Sequence, residues 1–458
     1  MASITSRTEA TRAAAGLATH LLPTLKLAVP VVIARAGLLL MLAVDTAMLG
    51  HYATDELAGF AAATAVQIVM VLVAVGLLQG TAILTAQAAG ASDSRACGIY
   101  FRASLLVGLL VGVVLGLLCL AGGWMLGLLG QTPEVAERGQ RVFLMFAWSY
   151  PGLGLWMACA FFLEGLSRPL PGMIASLLGV GANALLDWLF IFGGLGLPPL
   201  GAEGAAIATS IVRHLMLFGL VGYLLGLKDR RALGLFEKSA ATAEAVRKLL
   251  RIGLPLALSR AFEAGAFSAL TLIAGMLGSV ALAGYQITLN FISLVFMVAV
   301  GTSTATMIRV GNAVGRRDAL EASRAGWAGV AVIAAAMGAA AIVCLVVPGA
   351  FAAAYSDDAA VRALAASLIF IAGFFLVSDG AQMVLQGALR GLGDVWVTSI
   401  IQFLSWWAVS VPLGYGLAHA AGLGPSGLIW AIFAGAVVSS TTLAIRFRAL
   451  TARAIALA

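Results

Sequence analysis

Four carboxylates stand inside long apolar runs of this chain. Asp45 lies in Met41-Leu-Ala-Val-Asp-Thr-Ala-Met-Leu-Gly50 and Asp187 in Asn183-Ala-Leu-Leu-Asp-Trp-Leu-Phe-Ile-Phe192. Glu263 lies in Ser259-Arg-Ala-Phe-Glu-Ala-Gly265 and Asp379 in Phe374-Phe-Leu-Val-Ser-Asp-Gly-Ala-Gln382. An acid in hydrocarbon costs several kcal/mol unless it meets a cavity, a partner or a proton. Asn183 precedes Asp187 by one helical turn, so the two share a face, as do Ser259 and Glu263; Ser378 adjoins Asp379. Hard cations take oxygen ligands, and these groups supply them. A carboxyl whose access to water changes also exchanges its proton or cation. The competing reading is an acid paired for structure with an arginine or a backbone group. Arg35 and Arg260 are the internal candidates, although snorkelling to the headgroups is the expectation for both.

The elements that must hold these acids follow from composition. Of 458 residues, 62% are hydrophobic and 10% charged, against roughly a quarter charged in soluble domains. The chain reads as an all-α polytopic membrane protein with twelve transmembrane helices, each needing about 20 apolar residues. The expected spans are 28–50, 57–88, 99–124, 141–163, 171–193, 204–226, 250–277, 281–312, 325–348, 362–388, 396–418 and 425–446. No cleavable leader is visible, and 1–27 reads as a cytoplasmic tail. Alternate loops, with the two ends, hold 21 of the 27 Lys and Arg. Positive loops stay in the cytoplasm, so both termini are expected inside, in the cell inner membrane. The net charge of +7 thus reports topology and the lipid bilayer as partner, not nucleic acid.

The halves repeat. A shift of 225 residues, from Pro30 to Pro255, also carries Arg35 onto Arg260, Gly76 onto Gly301, Gly90 onto Gly315 and Asp93 onto Asp318. A shift of 222 carries Gly165 and Arg168 onto Gly387 and Arg390. Two pseudo-symmetric six-helix lobes are expected, 28–226 and 250–446, with a polar cytoplasmic linker at 227–249 and a cytoplasmic tail at 447–458. Such repeats place a substrate route between the halves in many carriers. Proline removes a backbone bond and bends a helix. Pro30 and Pro255 match in the repeat and precede Asp45 and Glu263, which makes them hinge candidates; Pro151 and Pro412 read as fixed kinks.

Other chemistry is thin. Cys97, Cys119, Cys159 and Cys344 stand apart and read as buried packing, and the four histidines have no metal spacing. No Walker pattern occurs, which excludes an ATP-driven pump. Aromatic and methionine residues, among them Tyr150, Trp156, Phe291 and Met297, are candidates for a lipophilic-cation pocket.

Several stretches resemble the multidrug and toxic compound extrusion (MATE) family, in its NorM-like bacterial branch. They are Val44-Asp-Thr-Ala-Met-Leu-Gly50, Gly253-Leu-Pro-Leu, Phe262-Glu263, Gln286-Ile-Thr-Leu-Asn290, Arg309-Val-Gly-Asn-Ala-Val-Gly315, Ser378-Asp379 and Gly387-Ala-Leu-Arg-Gly-Leu-Gly-Asp394. The resemblance implies two six-helix lobes and export of cationic, lipophilic compounds against entry of sodium or protons. It implies a cation site at Glu263 and Asp379, a helix-1 acid at Asp45, and the Asn-x3-Asp pair of the other prokaryotic branch at Asn183 and Asp187. The sodium-linked site is often drawn with a tyrosine one turn before the helix-10 acid; here that residue is Phe375.

The expected function is a secondary antiporter, not an enzyme. It needs no cofactor beyond a coupling H+ or Na+, takes small cationic molecules and works as a monomer. Two other readings remain at this stage. A carrier of an endogenous metabolite or lipid-linked glycan needs a basic cavity, for which Arg35, Arg213 and Arg260 are the candidates. An intramembrane enzyme needs a nucleophile–base or metal constellation, and none is evident.

Overall fold

The computed structural model describes the backbone of residues 2–235, 237 and 242–457, and side chains from residue 21 on. The described residues are helical with no strand. In order they form α1 (Ala2–Tyr52), α2 (Thr54–Gly90), α3 (Ser94–Cys119), α4 (Gly122–Leu128), α5 (Pro133–Ala147), α6 (Ser149–Gly165), α7 (Leu170–Phe192) and α8 (Gly201–Gly226). The second half follows with α9 (Thr242–Met276), α10 (Ser279–Gly315), α11 (Ala319–Val346), α12 (Pro348–Tyr355), α13 (Ala359–Gly391), α14 (Val395–Phe403), α15 (Val411–Tyr415) and α16 (Pro425–Ala456).

Eleven of the described helical stretches are long and apolar enough to cross a bilayer, and α5 with α6 makes a twelfth, broken by a 51° bend. The protein is a multi-pass membrane protein. Leu110, Leu178, Phe218 and Leu272 are among many large apolar side chains that stay exposed, as a lipid solvent allows. The fourth expected span, 141–163, therefore needs correction: it is two helices meeting at Trp148. Pro151 has no N–H for the carbonyl of Ala147, so the ladder fails where the chain turns. Around Pro412 the backbone widens to π turns at Leu404–Ser410 and Gly416–Ala420. All four cysteines are buried with free thiols.

The repeat is visible at single-residue level. Ser92 and Arg317, 225 apart, both adopt a left-handed φ of 59°. Each precedes an aspartate that caps the next helix: Asp93 accepts from the N–H of Ala96 at 2.9 Å, and Asp318 from Glu321 at 2.8 Å. Such caps satisfy orphan donors of the first turn.

Packing divides the chain into two units, one of residues 33–257 and one of 1–32 with 258–458. Both divisions fall two residues after a repeated proline, inside the continuous helices α1 and α9. The start of α1 is held in the 258–458 unit, where Arg309 Nη1 donates to Thr24 Oγ1 at 2.6 Å. There a Cβ on Gly301 would lie 2.3 Å from Val32 Cγ2. In the 33–257 unit a Cβ on Gly76 would lie 2.6 Å from Ala257 Cα. Gly76 and Gly301 are repeat mates, and so are Val32 and Ala257. The turns at 227–235 also dock within the 33–257 unit. Arg168 grips Asp229 with two hydrogen bonds, 3.1 and 2.7 Å, and holds its carboxyl below the ordinary range. Leu233 and Leu235 are buried there, and Arg102 donates to the carbonyl of Gly234.

Gly76→Ala should destabilise by about 1–3 kcal/mol, because the new methyl meets backbone that cannot rotate away. Gly219→Ala, with open space at its Cβ, should be neutral or better. Thermal midpoints of the detergent-solubilised proteins check this, and equal midpoints for the two would refute the close contact.

Candidate functional site

In the 33–257 unit the sequence candidates Asp45, Asn183 and Asp187 come together. Ser176 on α7 donates to the carbonyl of Ala34 on α1 at 2.9 Å, which fixes the register of the two helices. One face of α7 then carries Asn183 and Asp187, both fully buried, to the Asp45 carboxyl, itself 3% exposed. From α8, Thr209 Oγ1 donates to Asp45 Oδ2 at 3.1 Å. That bond leaves most of the cluster unsatisfied. Asp45 Oδ1, both carboxylate oxygens of Asp187, and the amide oxygen and nitrogen of Asn183 are buried with no hydrogen-bond partner.

Two carboxyls side by side in an apolar interior repel unless a proton or a cation lies between them. Orphaned buried oxygens also lose their hydration with nothing in return. The arrangement therefore suits a small exchangeable ion. Arg213 on α8 is an electrostatic neighbour of Asp45, but no carboxylate lies within salt-bridge distance of it among the described residues.

In the 258–458 unit Glu263 and Asp379 are electrostatic neighbours. Glu263 Oε2 accepts from Arg260 Nη1 at 2.8 Å, one turn away on α9, with both side chains nearly buried. Asp379 Oδ1 accepts from Gln382 Nε2 at 2.7 Å, and further along α13 Gln386 Oε1 accepts from Arg390 Nη2 at 2.8 Å. Asp379, Gln382, Gln386 and Arg390 thus form a polar stripe at helical spacing. Trp407, in the π turn after α14, donates to the carbonyl of Phe262 at 2.9 Å and braces α9 beside Glu263. Phe375, 1% exposed, belongs to the apolar core. Ser259 Oγ is buried without a partner. Among the described residues no three His, Cys, Asp or Glu side chains converge as a metal site would require.

Three expectations change. Arg35 and Arg260 do not snorkel: Arg35 holds Glu164 at 3.1 Å and stacks over Phe161, as Arg260 holds Glu263. An ion pair made inside the protein spares both partners the cost of lipid. Arg390, assigned by sequence to a cytoplasmic loop, is 1% exposed. Glu164, 6% exposed, is a further buried acid that sequence reasoning missed; its signal was its place in the repeat, opposite the polar Gln386.

The pocket candidates are divided. Tyr150 and Trp156 are buried in the 33–257 unit with their polar atoms unpartnered. Phe291, whose ring centroid lies 4.5 Å from that of Phe351 at a 46° tilt, and the half-buried Met297 are in the other unit. Pro30 and Pro255 are buried within α1 and α9.

Comparison with known proteins agrees with this architecture. The MatE family model matches residues 30–189 and again 255–416, starting at both repeated prolines. A protein of Caulobacter vibrioides named "Probable multidrug resistance protein NorM" is 35% identical over 437 residues, covering 94% of this chain and 92% of its own. "Multidrug resistance protein NorM" of Aliivibrio fischeri is 34% identical, covering 86% of each. Among solved structures, the eukaryotic MATE transporter AtDTX14 superposes with a TM-score of 0.87 at 20% identity, covering 96% of this chain and 99% of its own. An outward-facing multidrug resistance MATE family transporter gives 0.87 at 22% identity, covering 94% and 96%. With both halves matched by one family model and a third of the residues shared with near full-length relatives, the chain belongs to the MatE family.

Proposed function

We propose that the protein is a multidrug efflux transporter of the inner membrane that exports cationic, lipophilic compounds in exchange for inward protons. Both termini then lie in the cytoplasm and the chain works as a monomer. The names of the NorM relatives support the efflux activity. The observation that carries the ion coupling is the Asp45–Asp187 pair, buried beside Asn183 with three of its four carboxylate oxygens unpartnered. A proton entering from outside occupies this pair and favours release of the compound; the compound, bound in the inward state, favours loss of the proton. Such coupling requires each ligand to bind the two states with different affinity.

Protons are favoured over sodium by the second unit. The Glu263 carboxylate is already held by Arg260, so a sodium ion would have to displace a guanidinium. Phe375 supplies no hydroxyl to compensate. Asp379, hydrogen-bonded only by a neutral amide, is the group of that unit we assign to ion exchange, with Glu263 and Arg260 as its charged surroundings. Pro30 and Pro255 serve as hinges, since each lies two residues before the point where its helix passes from one packed unit to the other. The lipid-linked flippase reading loses its support: two of its three arginines, Arg35 and Arg260, are neutralised by acids.

Ethidium efflux from proteoliposomes should follow an imposed pH gradient and ignore an imposed sodium gradient. Asp45→Asn or Asp187→Asn should lower the pH-driven rate by about 5- to 150-fold, the span of ordinary coupling energies. Wild-type-like rates in both variants would remove the pair from the mechanism, and efflux driven by sodium alone would replace the ion.

Glu263→Gln and Asp379→Asn should separate. The first strands Arg260 in a largely buried place and should cost about 3 kcal/mol of stability. The second keeps a group that Gln382 can bond, and should lose transport with little change in thermal midpoint. A midpoint lowered more by Asp379→Asn than by Glu263→Gln would contradict the pairing.

A further inference from the structure

The bend between α5 and α6 creates a feature that the ion-exchange reading leaves unused. Phe146 lies in the last turn of α5, Ser149 and Tyr150 begin α6, and the break places all three around one guanidinium. The Arg213 Cζ lies 5.1 Å from the Phe146 ring centroid and 5.5 Å from that of Tyr150. Its Nη1 donates to Ser149 Oγ at 2.9 Å, and Ser149 donates in turn to the carbonyl of Phe146 at 2.8 Å. The Gln67 amide, turned with its oxygen toward the guanidinium, accepts from Nη1 at 3.3 Å and from Nη2. Ser210, one turn before His214 on α8, ties that helix to α5 by donating to the carbonyl of Met145 at 2.9 Å. Phe146, Ser149, Tyr150 and Gln67 are all buried.

Two aromatic faces, neutral oxygen acceptors and a carboxyl cluster close by are the equipment of a lipophilic-cation site. Thr209, which holds Asp45, is one helical turn from Arg213, so the cage and the acid pair are adjoining parts of one interior. The cage is already filled, by a cation that cannot leave because it is part of the chain. Guanidinium stacks well on aromatic faces and keeps its charge at any working pH. A second cation entering there would meet like charge at low dielectric, which is strongly unfavourable.

We infer that Arg213 keeps the exported compound apart from the coupling ion: it occupies the Phe146–Tyr150 cage as a resident cation and bars permanently charged lipophilic cations from Asp45 and Asp187, without barring them from the rest of the protein. The acid pair is thereby kept for an ion small enough to pass the guanidinium. The inference rests on the proposed efflux function for the identity of the excluded class, but its test reads binding alone.

Equilibrium binding of tetraphenylphosphonium to the purified full-length protein, measured by calorimetry at fixed pH, tests it. Arg213→Gln and Arg213→Ala should each bind this cation about tenfold more tightly, the yield of one vacated cation–π cage. Adding Tyr150→Leu to either should cancel the gain, and Arg213→Lys should bind like the wild type. Two neutral variants are used so that one that misfolds, judged by its thermal midpoint, leaves the other. A role confined to holding the bend would weaken binding or leave it alone, so unchanged or weaker binding overturns the inference. A gain that survives Tyr150→Leu overturns it as well. If wild-type vesicles fail to export any cation, the proposed function falls, while this comparison of affinities still stands.

Discussion

The energetic constraint behind this structure is that hydrocarbon offers polar groups no hydrogen bonds. Every charge that is not at an aqueous end must be matched inside the protein or left as a site for something that comes and goes. The helices satisfy their own backbone, and the caps at Asp93 and Asp318 satisfy the first turns. What remains is side chains, and they are treated in two ways. Arg260 closes on Glu263, and Arg35 closes on Glu164 through Oε1, with Glu164 Oε2 left unpartnered. Asp45 and Asp187 are not closed, since their cluster is rich in acceptors and poor in donors. Removing water from such a group is tolerable only if its charge can be cancelled by an occupant, and that makes it the part of the interior suited to exchange.

The repeat sharpens this contrast. The basic framework is duplicated: Arg35 answers to Arg260, and Arg168 to Arg390. The buried acids are not duplicated. Glu263 corresponds to Leu38, Asp379 to Met157 and Asp45 to Leu270, while Glu164 corresponds to Gln386. Arg168 meets Asp229 in the turns after α8, whereas Arg390 is buried against a neutral amide. Backbone features, such as the left-handed residues Ser92 and Arg317 and the close contacts of Gly76 and Gly301, are kept in both halves. The buried acids have diverged between halves, so the two units carry different arrangements of charge on one scaffold.

Much of this was legible in the sequence, because lipid imposes rules that act over short stretches. Apolar run length gave the spans, and two nearby offsets, 225 and 222, gave the repeat. The Asn183–Asp187 spacing gave a shared face that the structure turns toward Asp45. What was not legible depended on distant partners or helix ends. Glu164 sits at the last turn of α6, where hydropathy cannot tell buried from cytoplasmic, and its partner Arg35 is 129 residues away. Arg390 was misplaced for the same reason. The break at Trp148 was hidden by continuous apolarity on both sides, with Pro151 its local sign. Arg260 is the instructive miss, since Glu263 stood one turn away in plain view; the reach of a long side chain to the headgroups was given more weight than an ion pair that needed no reach at all.

The position of the prolines bears on how exchange and movement can be linked. A proline weakens one turn of a helix without ending it, and both α1 and α9 run on unbroken. Just beyond each proline a glycine of α2 or α10 admits the backbone so closely that the preceding turns cannot shift without opening the contact. Bending is therefore cheapest in the turn that follows, before Asp45 on α1 and before Glu263 on α9. An ion that changes the charge of a carboxyl changes the force on the segment carrying it, and that segment is the part of the helix beyond the close contact. In this arrangement an acid on α1 or α9 is better placed to convert occupancy into movement than Asp187 or Asp379, whose helices α7 and α13 each lie wholly within one packed unit. The latter can hold the ion while the former answer to it, and each of the proposed ion sites contains one of each kind.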